Sequence, residues 1–133
     1  MSPLGDSEQP VESANREKSA TSVTIAELQA WVDHFSDERD WEQFHTPKNL
    51  AMSIAIEAAE IMELYQWQDG KGATPNTAVD SPVAEELADV LSYLLRMASV
   101  LKIDLAQALA LKIKKNALKY PAPATRSIEK RVD

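Results

Sequence analysis

Apolar residues recur along most of the chain at intervals of three and four, the spacing that places them on one face of an α-helix. The first such set is Ile25, Leu28, Trp31, Val32 and Phe35. The same period returns in three later segments, and no segment alternates strictly between apolar and polar residues for four or more positions. The pattern therefore predicts an all-α protein of four helices without a sheet.

Each predicted helix begins at a residue whose side chain can accept a hydrogen bond from the free N–H groups of a helix start. These capping residues are Thr24, Thr46, Ser81 and Asp104. Glu27 completes a capping box in the first helix, while Pro47 and Pro82 occupy the first position of the second and third helices. Glycines, a proline and other turn formers at 69–76 interrupt the helical pattern. The helices are predicted over about 25–38, 47–67, 82–101 and 105–119.

The two ends of the chain have a different composition from the middle. The first 22 residues are rich in Ser, Glu and Pro, and have too few large apolar side chains to offset the entropy lost on ordering. We therefore expect a flexible tail at 1–22, one folded domain at 23–121 and a C-terminal tail at 122–133. The sequence shows neither a membrane-length apolar run nor the apolar core of a signal peptide, which predicts a cytoplasmic protein.

Composition and charge exclude several classes of site. The 133 residues contain no cysteine and only two histidines, His34 and His45, which excludes disulfides and thiolate chemistry and disfavours zinc sites. Lys and Arg number 14 against 21 Asp and Glu, a net charge of −7. This charge argues against nucleic acid or an anionic membrane as a partner, and a polyanionic substrate would need metal cations.

Two predicted helices carry acidic residues within their apolar faces. The residues are Glu57, Glu60, Glu86 and Asp89. At 100° per residue, the two members of each pair lie about 60° apart on the apolar side of their helix, with no Lys or Arg near them in that sector. A single helical Glu is usually solvated, but four carboxylates facing an apolar interior require a cation. Ligands that are all oxygen favour Mg²⁺, with Mn²⁺ as a substitute, whereas Glu63 and Glu85 lie farther round their helices.

The four carboxylates form an E-x-x-E motif, 25 intervening residues and an E-x-x-D motif. The flanking sequences are Glu38-Arg-Asp-Trp-Glu-Gln-Phe-His45, Pro47-x-Asn-Leu50, Glu63-Leu-x-Gln-Trp67, Glu85-Glu-Leu-x-Asp-Val-Leu-x-Tyr-Leu94 and Lys112-x-x-x-Asn116-x-x-x-Tyr-Pro121. Together these motifs resemble the MazG-like all-α nucleoside triphosphate pyrophosphohydrolases, and their flanks resemble the dCTP pyrophosphatase branch. The resemblance covers about residues 24–121.

This resemblance implies an enzyme that cleaves a nucleoside triphosphate, dCTP or a modified dCTP, to the monophosphate and pyrophosphate. The corresponding cellular role is the removal of surplus or non-standard nucleotides from the nucleotide pool. It implies that the four carboxylates hold Mg²⁺ and that Glu60 also orients or deprotonates the attacking water. The positions that match aromatic residues around the base are Trp41, Trp67 and Tyr93. The positions that match the phosphate-binding end are Lys112, Asn116, Lys119 and Tyr120. A homodimer or homotetramer with pockets between subunits is also implied.

The sequence departs from the family pattern at two positions. Ile56 precedes Glu57 where many members have a second Glu, and Val32 stands where the dCTP pyrophosphatase branch has a histidine of the nucleotide pocket. Three alternatives stay open. The basic residues of the last helix can simply complement its dipole. The chain can be a non-enzymatic helical interaction module with a solvated acidic stripe, or a related pyrophosphohydrolase that acts on dUTP or phosphoribosyl-ATP.

Overall fold

The computed structural model describes residues 22–68 and 76–123, which form four α-helices. The helices are α1 (Ile25–Glu38), α2 (Pro47–Tyr65), α3 (Pro82–Leu101) and α4 (Leu105–Lys119). The described residues contain no strand, so the predicted all-α class is confirmed. A turn of 3₁₀ helix, Trp41–Gln43, precedes α2 and was not predicted from the sequence.

The helix starts confirm the predicted caps. In each case the side chain accepts a hydrogen bond from the backbone N–H three residues later, and such a cap contributes about 1 kcal/mol. The four bonds are Thr24–Glu27 (3.1 Å), Thr46–Asn49 (3.2 Å), Ser81–Ala84 (3.3 Å) and Asp104–Gln107 (3.0 Å). The predicted bounds of α1, α3 and α4 are confirmed, whereas α2 ends two residues early at Tyr65. There the Gln66 N–H bonds the Glu63 carbonyl three residues back, which tightens the last turn. Of the predicted turn at 69–76, all but Asn76 lies outside the described residues.

Two residues with positive φ mark where the chain changes direction. Asp40 (φ 53°) leads out of α1 into the 3₁₀ turn, and Lys102 (φ 56°) follows the last residue of α3. The left-handed conformation at Lys102 lets its N–H bond the Ser99 carbonyl and ends the helix. The short turn after Asp40 places the Trp41 ring 5.8 Å from the ring of His45, which lies just before α2.

The chain divides into two compact units between Lys102 and Ile103. In the first unit, α3 packs against α2 and α1, around the buried side chains of Leu50, Leu95 and Ala98. The second unit contains α4. None of the helices in the described part of the chain is long and apolar enough to cross a membrane. The predicted tails lie almost entirely outside the described residues, so those boundaries stay predictions.

Candidate functional site

Three of the four motif carboxylates meet where α2 packs on α3. Glu57 and Glu60 come from α2 and Glu86 comes from α3, and one oxygen of each lies within 4.8 Å of the others. The i,i+3 spacing on α2 places both of its carboxylates toward α3 because α-helical residues three apart share a face. The packing of the two helices therefore creates a compact group of acidic oxygens, here called the carboxylate cluster (Glu57, Glu60, Glu86).

The cluster is electrostatically unfavourable as it stands. Side-chain hydrogen bonding to Glu60, followed by burial and repulsion from that group, raises the pKa of Glu86 to about 7. Burial, followed by its interactions with Glu60, also raises the pKa of Glu57. One oxygen of Glu57 and one of Glu86, both Oε2, are buried without a hydrogen-bond partner among the described residues. Such orphaned, repelling oxygens are what a cation would satisfy.

The donor set fits a hard divalent cation. It offers carboxylate oxygens only, the ligands that Mg²⁺ and Mn²⁺ prefer. The one basic residue of α3, Arg96, pairs with Asp33 of α1 rather than with the cluster. Asp89, the fourth predicted ligand, is not part of the close group, but its charge raises the pKa of Glu57 and so lies near it. These three carboxylates can hold a metal ion.

A cavity of about 340 Å³ lies along the same pair of helices. Its walls are Trp41, Phe44, His45, Asn49, Leu50, Ser53 and Tyr93. Ser53 precedes Glu57 by one turn of α2 and Tyr93 follows Asp89 by one turn of α3, so the cavity borders the carboxylates. Its aromatic walls and few polar groups suit a small planar ligand. The structure thus brings together two of the three predicted aromatic residues, Trp41 and Tyr93.

The remaining predicted site residues are not among the residues that line this cavity. Trp67 does not line this cavity, and its side chain is 89% exposed just beyond the end of α2. The predicted phosphate ligands belong to the second compact unit: Lys112, Asn116 and Lys119 on α4, and Tyr120 after it. The Tyr120 N–H caps α4 by bonding the Asn116 carbonyl at 2.7 Å, and the Lys119 ammonium lies 5.3 Å from the Tyr120 ring centre.

Five cavity residues were not identified as site residues from the sequence: Phe44, His45, Asn49, Leu50 and Ser53. Asn49 and Ser53 precede Glu57 at intervals of four, so counting back along the helix from the first carboxylate would have found them. The Asn49 amide donates to the Phe44 carbonyl at 2.9 Å and joins the 3₁₀ turn to α2. His45 stands before the helix cap, where no periodic signal applies.

A chain of polar side chains connects His45 to α1 and α3. The Arg96 Nε–H donates to His45 Nδ1 at 2.9 Å, and Arg96 also forms an ion pair with Asp33 at 2.8 Å. The second Asp33 oxygen accepts from the Ser99 hydroxyl at 2.7 Å, and Gln29 donates to that hydroxyl at 2.7 Å. Burial, followed by repulsion from Arg96, lowers the pKa of His45. We call His45, Arg96, Asp33, Ser99 and Gln29 the arginine network.

Sequence comparison decides the family. A profile of the MazG-like family matches residues 52–133, more than half of the chain. The chain belongs to the MazG-like family. This match includes the carboxylate cluster and Tyr93, and it confirms the resemblance inferred from the E-x-x-E and E-x-x-D motifs.

Two curated relatives and one solved structure resemble this MazG-like chain. It is 38% identical over 109 residues to dCTP pyrophosphatase 1 of Homo sapiens, covering 78% of this chain, and 35% identical over 110 residues to dCTP pyrophosphatase 1 of Bos taurus, covering 80%. It spans 63% and 65% of the length of these relatives, less than two thirds. A crystal structure of a pyrophosphatase from Archaeoglobus fulgidus matches with a TM-score of 0.62 and 39% identity, covering 74% of this chain and 93% of that one.

Proposed function

We propose that this MazG-like chain is a Mg²⁺-dependent pyrophosphohydrolase that cleaves dCTP or a modified dCTP to the nucleoside monophosphate and pyrophosphate. The observation that carries the proposal is the carboxylate cluster, which lies along the same helix pair as an aromatic cavity. The names of the curated relatives, dCTP pyrophosphatase 1, support the choice of substrate. Removal of such nucleotides from the pool is the corresponding cellular role.

Glu57, Glu60 and Glu86 would hold Mg²⁺, with Asp89 as the fourth ligand. When bound, the cation neutralises phosphate charge and makes water a better nucleophile. Their unsatisfied oxygens and raised pKa values support this assignment, because a divalent cation removes the repulsion that otherwise favours protonation. Mn²⁺ offers the same preference for oxygen ligands and is expected to substitute.

The reaction needs no side-chain nucleophile. Water attacks the α-phosphorus, a new P–O bond forms, and the bond from the α-phosphorus to the α–β bridging oxygen breaks, so that pyrophosphate leaves. In this scheme the Glu60 carboxylate orients the water and accepts its proton. Trp41 and Tyr93, which line the cavity, hold the base by stacking. Trp67 is carried over from the family resemblance as a third base contact.

Phosphate binding by α4 is part of the same proposal. Lys112, Asn116 and Lys119 follow each other at intervals of four and three, so they share one face of the helix. Lys ammonium and Asn amide groups donate hydrogen bonds to phosphate oxygens, and the hydroxyl of Tyr120, the residue after α4, can donate one as well. We prefer Asn116 and Lys119 as the ligands.

We also propose that the chain acts as a homodimer or homotetramer, with residues 23–121 as the folded domain and no membrane or nucleic-acid partner. Large apolar side chains of α4 support self-association, since Leu109, Leu111, Ile113 and Leu118 are all more than half exposed. Light scattering after gel filtration measures the mass directly.

A chain starting at Val23 should keep the melting temperature and the activity of the full chain.

The deciding experiment is pyrophosphate release from dCTP, CTP, dUTP, dTTP and phosphoribosyl-ATP, each with Mg²⁺ and with EDTA. The proposal expects release from dCTP that requires the cation. Preferential release from dUTP or phosphoribosyl-ATP would assign a related pyrophosphohydrolase instead. No release from any of the five would identify a non-enzymatic helical module.

A further inference from the structure

One ring nitrogen of His45, Nδ1, already has a hydrogen-bond partner, and this determines whether the other nitrogen, Nε2, donates or accepts. Arg96 Nε always carries a proton, so the 2.9 Å contact makes His45 Nδ1 the acceptor. In a neutral imidazole whose Nδ1 accepts, the proton resides on Nε2. The remaining polar atom of His45 is therefore a hydrogen-bond donor, and this ring forms part of the cavity wall.

Arg96 is itself held in place. Its side chain is only 8% exposed, and its second donor binds Asp33 Oδ1 at 2.8 Å. The other Asp33 oxygen is occupied by the Ser99 hydroxyl, so the carboxylate cannot rotate without losing a bond. Because the guanidinium is planar, one orientation satisfies Asp33 and His45 together. The bond to Arg96 sets the orientation of the His45 ring, and burial, followed by repulsion from Arg96, lowers the pKa of His45, which favours the neutral ring.

We propose that Arg96 is a positioning residue of the base cavity, which holds His45 as the Nε2–H tautomer so that the cavity presents one oriented donor to an acceptor atom of a bound base. This inference rests on the proposed function, because it assumes that the cavity binds a nucleoside triphosphate. Cytosine offers such acceptors at O2 and N3.

The tautomer is measured without turnover. The chain has only two histidines, so ¹⁵N-labelled His45 is assigned by comparison with a His45→Asn variant, in which only the signals of His34 remain. We expect a single Nε2–H tautomer at neutral pH. A protonated Nδ1 in the neutral ring would overturn the proposal.

Substitutions at Arg96 separate its bond to His45 from its ion pair. The amide nitrogen in Arg96→Gln is the same number of bonds from the backbone as Arg Nε and can still donate, whereas Arg96→Met cannot, and both remove the guanidinium from Asp33. Both variants are made in an Asp33→Asn background, which removes the unpaired carboxylate. We expect the KM for dCTP to be about 2- to 12-fold higher for Met than for Gln, with kcat nearly equal, since one net hydrogen bond is lost. Equal KM values would overturn the proposal.

A second pair at His45 keeps the test decisive if the Arg96 variants fold poorly. His45→Gln places an amide donor near the position of Nε2, and His45→Asn keeps only a group near Nδ1. The KM for dCTP should be about 5- to 150-fold higher for Asn than for Gln, because a buried acceptor is left unpaired. Deoxyribose triphosphate without a base should show no difference between the two, and an equal difference with it would overturn the assignment to the base. If no triphosphate is hydrolysed while His45 remains a single Nε2–H tautomer, the proposed function fails separately from the positioning by Arg96.

Discussion

Two groups of charged side chains share α3, and the fold treats them differently. Near its start, the Glu86 carboxylate lies beside those of Glu57 and Glu60. The pKa values of Glu57 and Glu86 are raised, and one oxygen of each is buried without a hydrogen-bond partner among the described residues. About 15 Å farther along the helix axis, the Arg96 guanidinium forms an ion pair with Asp33 and donates a hydrogen bond to His45. Charges that support the fold are thus paired within the chain, whereas the cluster keeps unsatisfied acceptors that an external cation can satisfy.

The largest effect is expected from removing one charge of the carboxylate cluster. Glu60→Gln keeps the shape of the side chain but loses its charge, and turnover of dCTP with Mg²⁺ should fall by roughly 100- to 1,000-fold. The matched control is Glu63→Gln on the same helix, which should retain the parent rate because Glu63 lies outside the cluster. Near-normal turnover by Glu60→Gln would remove Glu60 from the reaction.

Breaking the arginine network should lower the stability of the folded chain. Asp33→Ala leaves the buried Arg96 without its counter-ion, and breaking such a pair should lower the free energy of unfolding by about 3 kcal/mol. Denaturant unfolding followed by circular dichroism measures this change. Asp37→Ala, at an exposed position one turn later on α1, is the control and should change stability little. Equal stability of the two variants would show that the ion pair does not support the fold.

A smaller effect is expected from removing an aromatic wall of the cavity. Trp41→Ala removes a stacking surface and should weaken dCTP binding by roughly 5- to 150-fold while leaving metal binding unchanged. Trp67→Ala tests the residue that the family resemblance assigns to the base but that does not line this cavity. Calorimetric titration with dCTP compares the two variants. Unchanged affinity in Trp41→Ala would show that the base binds elsewhere.

The smallest effect is a pH dependence that exists only without metal. The pKa of Glu86, about 7, lies above its ordinary value of 4.5, so the folded state binds the extra proton between these values. In EDTA the contribution of Glu86 to stability should therefore be fully present below about pH 4.5 and be lost as pH rises through about 7. Relative to the parent, Glu86→Gln should show a shallower decline, and Mg²⁺ should reduce the decline in the parent. Parallel melting-temperature profiles for parent and variant would exclude Glu86 as its source.

The same contrast explains what the sequence could predict. Helix bounds follow from local signals, namely the apolar period and the caps at Thr24 and Ser81. The shared face of Glu57 and Glu60 follows from i,i+3 spacing within one helix, whereas Glu86 joins them only because α3 packs on α2. The arginine network joins residues 51 to 70 positions apart, and no local period encodes such pairs. Trp67 was assigned to the base from its motif but does not line the cavity, because a motif gives the residue type and not the position of its ring. Long-range polar contacts depend on how helices pack, which only the folded structure provides.

If the unsatisfied carboxylates form a cation site, the chain should bind Mn²⁺ through them, and electron paramagnetic resonance measures this binding. Mn²⁺ is titrated into the parent, Glu57→Gln, Glu86→Gln and the control Glu63→Gln. We expect the parent and the control to bind Mn²⁺ and both cluster variants to lose most of this binding. Equal Mn²⁺ binding by all four proteins would contradict this expectation.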